Sequence, residues 1–120
     1  MKLGTHFIID MYSCNEQDLN NIQFIRDVFL KLIHVLDVTY ITDYFHQFSP
    51  YGISGVVIIA ESHFTIHTYP EYGYCAIDIF TCGDKPCDNA LPYLCEKFNT
   101  TNIIVHKINR GEYVPITTLF

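Results

Sequence analysis

Hydrophobic positions along this chain follow two periods, one of about two residues and one of about 3.6, and the switches between them predict the elements. Leu3 to Tyr12 contains a strand-like apolar run. Asn15-Glu16-Gln17-Asp18 follows it as a helix N-cap with acidic residues in the first turn. Leu19, Ile22, Ile25, Val28, Phe29, Leu32, Ile33 and Leu36 then recur at helical spacing, giving one apolar face that must cover a sheet.

Val38 to Phe45 and Ile53 to Ala60 are rich in β-branched and aromatic residues, with turn chemistry at Ser49-Pro50-Tyr51-Gly52 between them. Ser62 to Thr68 and Tyr74 to Cys82 form a second pair, joined by Tyr69-Pro70-Glu71-Tyr72-Gly73. A shorter helix carries Cys87, Ala90, Leu91, Leu94, Cys95 and Phe98 on one face with Pro92 near its first turn, and Asn102 to Ile108 make a last strand. The order β-α-β-β-β-β-α-β predicts an α+β fold: a two-layer sandwich of an antiparallel sheet with helices on one face. The two halves mirror each other in element order without a sequence repeat.

Composition narrows the function. At 120 residues the chain fits one domain spanning 1–120. Seven Lys plus Arg against thirteen Asp plus Glu give a net charge of -6, and the cations form no cluster along the chain. That balance argues against nucleic acid as a partner and favours a cationic small substrate. The amino terminus lacks the pattern of a signal peptide, and runs such as Val56 to Ala60 are too short to cross a bilayer, so a cytoplasmic location without membrane contact is expected. Five cysteines, Cys14, Cys75, Cys82, Cys87 and Cys95, show no zinc-type spacing and read mostly as small buried thiols.

Strand parity places the candidate chemistry. Phe64 and Ile66 share the core face, while His63, Thr65 and His67 share the other; on the neighbouring strand Tyr74, Ala76, Asp78, Phe80 and Cys82 lie opposite the apolar Cys75, Ile77 and Ile79. His67 and Cys82 thus come to one side of the sheet, where they could exchange protons near neutral pH, although spacing alone favours simple packing. His63 and His67 are about 13 Å apart along a straight strand, so one metal ion cannot bridge them and no metal is expected. Ser62 has the opposite parity to His67, so a turn or bulge at Glu61-Ser62 is required if both act together.

Several motifs taken together, His46-Gln47-Phe48-Ser49-Pro50-Tyr51-Gly52, Ser54-Gly55, Glu61-Ser62-His63-Phe64-Thr65-Ile66-His67-Thr68, Pro70-Glu71-Tyr72-Gly73-Tyr74 and Asp78-Ile79-Phe80-Thr81-Cys82-Gly83, closely resemble the prokaryotic S-adenosylmethionine decarboxylase proenzymes. The resemblance implies that Ser62 attacks the Glu61 carbonyl and that the resulting ester eliminates. Chains 1–61 and 62–120 result, the second beginning with a covalent pyruvoyl group that forms a Schiff base with substrate. It further implies that Ser54 and His67 support processing and proton transfer and that Cys82 returns a proton after decarboxylation. Phe48 and Glu71 would contact substrate, and the enzyme would be a homodimer or larger, with pockets at the protomer boundary, serving spermidine (polyamine) biosynthesis.

Two positions depart from the family pattern near the expected pocket, Gln47 where Arg is frequent and Tyr69 where Trp is frequent. Relatives with the same processing motif decarboxylate arginine or ornithine, which is the alternative substrate class. A non-catalytic pseudoenzyme or activating partner is the alternative of another kind, and a cysteine hydrolase built on His67 and Cys82 lacks any nucleophile motif.

Overall fold

The computed structural model describes residues 2–83 and 85–112, so the carboxy-terminal end of the expected single domain lies outside the described residues. Six strands form one sheet: β1 (Gly4–Met11), β2 (Tyr40–Gln47), β3 (Ile53–Ile59), β4 (Ser62–Tyr69), β5 (Tyr74–Cys82) and β6 (Ile103–Arg110). Their spatial order is β2-β3-β4-β5-β1-β6, with antiparallel pairing throughout. The first strand is thus inserted between β5 and β6. The expected two-layer α+β sandwich is the architecture observed.

The long predicted helix is two helices, α1 (Glu16–Leu19) and α2 (Ile22–Leu36). Each begins on its own asparagine cap: Asn15 Oδ1 accepts from Asp18 N at 3.0 Å, and Asn21 Oδ1 accepts from Phe24 N at 3.1 Å. A second cap in mid-run ends one helix and starts another because its side chain takes the amide hydrogen bond that continuation would supply. Helix α2 closes at Asp37, whose φ of 53° is left-handed, and this reversal delays β2 to Tyr40 instead of the expected Val38. Helix α3 (Ala90–Phe98) lies beside α2, tied by Tyr93 Oη donating to Val28 O at 2.6 Å.

The core forms between helices and sheet. Phe7, Ile9 and Met11 of β1, Phe64 and Ile66 of β4, and Ile77 and Ile79 of β5 bury against Ile25, Phe29, Leu32 and Leu94. Alternation along these strands leaves the other face free of helices. That face carries His6, Asp78 and Thr65 in one hydrogen-bonded group, with His6 Nε2 2.8 Å from Asp78 Oδ1 and Thr65 Oγ1 donating to Asp78 Oδ2 at 3.2 Å. It also exposes Tyr44, Phe48, Ile58, Tyr69, Ile104 and Ile108. Among the described residues no helix is long and apolar enough to cross a membrane.

Candidate active site

The predicted residues separate into two groups at opposite ends of the central strands. At one end, β3 turns into β4 through Ala60 and Glu61, and Glu61 adopts a left-handed φ of 68°. A side chain in that conformation costs about 1 kcal/mol, which the surrounding hydrogen bonds must hold in place. Ala60 N donates to Thr39 O at 2.8 Å. Cys82 supplies two further contacts from the end of β5: its backbone N donates to Ser62 Oγ at 3.0 Å, and its Sγ donates to the Glu61 carbonyl oxygen. A cavity of about 270 Å³ opens beside them, lined by Glu61, Ser62, Thr81, Cys82, Gly83 and Lys85 among others.

This arrangement suits attack on the Glu61-Ser62 peptide bond. The thiol polarises the carbonyl that would receive the nucleophile, and the amide orients the hydroxyl beside it. The chain turns at Glu61, but Ser62 pairs in regular register with Ile59, so its side chain keeps the parity opposite to His67 and stands beside a strained corner. The residues present fit a pyruvoyl group at position 62: the Cys82 N–H and thiol are the polar groups that would face its carbonyl oxygens, and the cavity beside it would leave room for a substrate amine.

The second group lies at the far end of β3 and β4. Register pairs Ser54 directly with His67, so their side chains share the helix-free face, and Ser54 Oγ lies 2.7 Å from His67 Nδ1. That bond occupies Nδ1 and leaves Nε2 as the ring's available proton carrier. Phe48 and Glu71 border the same cavity of about 360 Å³, together with Tyr51 and Tyr69. Four predicted residues therefore converge here, Phe48, Ser54, His67 and Glu71, and three at the cleavage corner, Glu61, Ser62 and Cys82. Five residues of strand separate Ser62 from His67, about 17 Å, and no rotamer of either side chain closes that gap.

Of the two departures from the family pattern, Tyr69 lines the cavity but Gln47 does not. Gln47 Nε2 donates instead to Asn20 O at 2.8 Å and to Asn20 Oδ1 at 3.0 Å, on the helix side of the sheet. Asn20 Oδ1 also accepts from Gly52 N at 2.9 Å. Buried Thr68 adds a second tie, donating to Leu19 O at 2.8 Å and accepting from Ile53 N at 2.9 Å. The break between α1 and α2 thus clamps the loop that carries Phe48 and Tyr51. Nothing in the residue pattern points to Asn20, because its partners lie 27 and 32 residues away.

The five cysteines differ in setting. Cys14, Cys75 and Cys87 are buried. Hydrogen bonding with Cys14, followed by burial, pushes the Cys75 thiol well up, which suits packing rather than proton exchange. Cys82 is half-buried and lines the cleavage cavity. Among the described residues no cluster of three or more His, Cys, Asp or Glu side chains could hold a metal ion.

The chain is similar to known proteins in both sequence and structure. The sequence pattern of the family described as S-adenosylmethionine decarboxylase matches residues 5–111. The S-adenosylmethionine decarboxylase proenzyme of Clostridium kluyveri is 47% identical over 117 residues, covering 96% of this chain and 92% of the relative. That of Acidithiobacillus ferrooxidans is 45% identical over 112 residues, covering 92% and 84%. The crystal structure of the adenosylmethionine decarboxylase from Aquifex aeolicus has a TM-score of 0.86 at 31% identity and covers 96% of this chain and 95% of that one.

Proposed function

The chain belongs to the S-adenosylmethionine decarboxylase family, and from that premise we propose that its two separated groups are halves of one site, completed between two copies of the chain. It is a carboxy-lyase acting on S-adenosylmethionine. It is made as a proenzyme that cleaves itself at Glu61-Ser62 into chains 1–61 and 62–120. The observation that carries the reading is the cleavage corner, where Cys82 holds both the Glu61 carbonyl and the Ser62 hydroxyl.

In the cleavage step Ser62 Oγ bonds to the Glu61 carbonyl carbon while the bond from that carbon to Ser62 N breaks, and the hydroxyl proton passes to the freed amine. Elimination then releases Glu61 as a carboxylate, and water displaces ammonia at residue 62. The pyruvoyl group so formed supplies a ketone that draws electrons from the substrate carbon as carbon dioxide leaves. Cys82 holds the proton that returns to that carbon, Phe48 packs on the adenine, and Glu71 accepts hydrogen bonds from the ribose hydroxyls. Six of the thirteen acidic residues are not balanced by Lys or Arg, an excess that draws in a cationic substrate.

Support for the shared site comes from geometry. His67 and Cys82 lie on the same helix-free face but at opposite ends, so a two-fold axis through that face brings His67 of one copy to the Cys82 end of the other. The exposed Tyr44, Phe48, Ile58 and Tyr69 on that face are the apolar surface such a contact buries. Substrate identity favours a nucleoside over arginine or ornithine, since the cavity offers aromatic walls and a single carboxylate, Glu71. The product's place in spermidine synthesis in the cytoplasm follows from the same reading.

The direct test is the denatured mass of purified protein against a Ser62→Ala variant. Two chains meeting at Glu61-Ser62, the second lighter by one ammonia than a serine-ended chain, are expected from the wild type and one intact chain from the variant. An intact wild-type chain would remove the proenzyme reading and leave the pseudoenzyme in its place.

A further inference from the structure

Thr81 is 2% exposed and lines the cleavage cavity, yet its hydroxyl meets no nitrogen or oxygen partner and has only a weak contact with the Cys87 thiol. It is the single buried side-chain nitrogen or oxygen so placed among the described residues. Buried hydroxyls are paired as a rule, because an unpaired one loses its hydrogen bonds to water without replacement. A neighbouring threonine shows the contrast: Thr68, 5% exposed, uses its hydroxyl both to donate and to accept.

The strand register identifies the missing partner. Continuing the β4–β5 pairing one step past His63 and Phe80 sets Ser62 opposite Thr81. Both side chains point to the helix side, since Phe64 and Ile66 of β4 and Ile77 and Ile79 of β5 are buried there at the same parity. Directly opposed residues hold their Cβ atoms about 5 Å apart, within reach of one hydrogen bond between short hydroxyl side chains. Ser62 Oγ accepts from Cys82 N, which leaves its own hydrogen still to be placed. The other polar neighbour, Cys87, directs its thiol to Lys85 O at 3.7 Å; burial pushes that thiol up and the Thr81 hydroxyl partly offsets this, but sulfur is a weak acceptor.

We propose that Thr81 is a further catalytic residue of self-cleavage, its hydroxyl accepting the hydrogen bond of the Ser62 hydroxyl and aiming the Ser62 oxygen at the Glu61 carbonyl carbon. The inference rests on the proenzyme reading above. Thr81 neither gains nor loses a proton overall: the Ser62 hydroxyl proton finishes on the Ser62 nitrogen as the carbon–nitrogen bond breaks. An unpaired hydroxyl is thus kept beside the nucleophile for the one rotamer in which the attack occurs.

The test compares self-cleavage of freshly made wild-type, Thr81→Val and Thr81→Ser chains by mass, with thermal unfolding followed in parallel. Valine matches threonine in shape and removes an unpaired hydroxyl, so Thr81→Val is expected to melt no lower than the wild type while cleaving about 10²-fold more slowly. Thr81→Ser should restore cleavage. Hydroxylamine, which cuts esters but not amides, should not rescue the valine variant, because its defect precedes the ester. Wild-type cleavage by Thr81→Val, or rescue by hydroxylamine, would overturn the proposal. Should Thr81→Val fail to fold, Thr81→Ala is read against Thr81→Ser in the same way. A wild-type chain that never cleaves defeats the proenzyme reading itself, which keeps the two failures apart.

Discussion

The two ends of the β3–β4 hairpin are built in opposite ways. At the Glu61 end a strained turn is pinned by Cys82, and the parts that attack and are attacked all come from one chain. At the other end Ser54 and His67 sit on an open sheet face beside a cavity whose loop is held from behind by Asn20 and Thr68. One end holds the bond to be broken and the Cys82 thiol, whereas the other has the Ser54–His67 pair and no bond to break. A hairpin of this length cannot fold back on itself, and in the proposed shared site proximity between the two sets of groups comes from a second chain.

The sharpest way to break that comparison is to divide the halves between chains. A His67→Ala chain on its own should cleave about 10²-fold to 10⁴-fold more slowly, the range lost with a proton-transfer group. Co-expressed with a Ser62→Ala chain, which keeps its imidazole, the His67→Ala chain should be cut again. Absence of cutting in the mixture, with normal wild-type cleavage, would mean that each chain builds its site alone.

A smaller effect separates the ends within one chain. Asn20→Ala removes the acceptor for Gly52 N and Gln47 Nε2, costing about 1 kcal/mol of stability for each bond lost. Because the Phe48 loop loosens while the Glu61 corner is untouched, KM should rise several-fold with self-cleavage unchanged. Equal losses in cleavage and in KM would show that the clamp serves the whole fold instead.

The smallest expected effect is a control remote from both ends. Arg26 Nε and Nη2 donate to the Asp43 carboxylate at 3.0 and 3.1 Å, which together with the Tyr40 hydroxyl holds it below the usual carboxylate range. A folded-state value below the unfolded one adds stability that is full above about pH 4 and is lost as pH falls through the lowered value. Asp43→Asn should flatten the acid limb of the melting curve slightly and leave cleavage and KM as they were. A change in either activity would tie the α2–β2 contact to the site.

Much of this was legible in one dimension. Alternation along Ser62 to Thr68 and Tyr74 to Cys82 put His67 and Cys82 on one face, and the structure does the same. The odd parity between Ser62 and His67 called for a turn or bulge; the chain turns at Glu61, but Ser62 stays in register and keeps the opposite face from His67. Less legible was the end of the first helix, where apolar spacing ran smoothly through Asn20 and Asn21 although one helix ends at Asn20 and the Asn21 side chain caps the start of the next. Gln47 looked like a pocket residue from its neighbours in the chain, but strand parity turns it toward Asn20.

The sequence by itself determined the elements, the faces of the strands and the family, because periodicity and motif are local properties that survive in any arrangement of the chain. Only the tertiary structure decided that β1 enters between β5 and β6, that Asn20 holds the Phe48 loop, and that the Thr81 hydroxyl is buried beside the cleavage cavity. Those facts depend on which strands become neighbours. Pairing is chosen by the burial of the whole apolar face at once, so no single segment carries it.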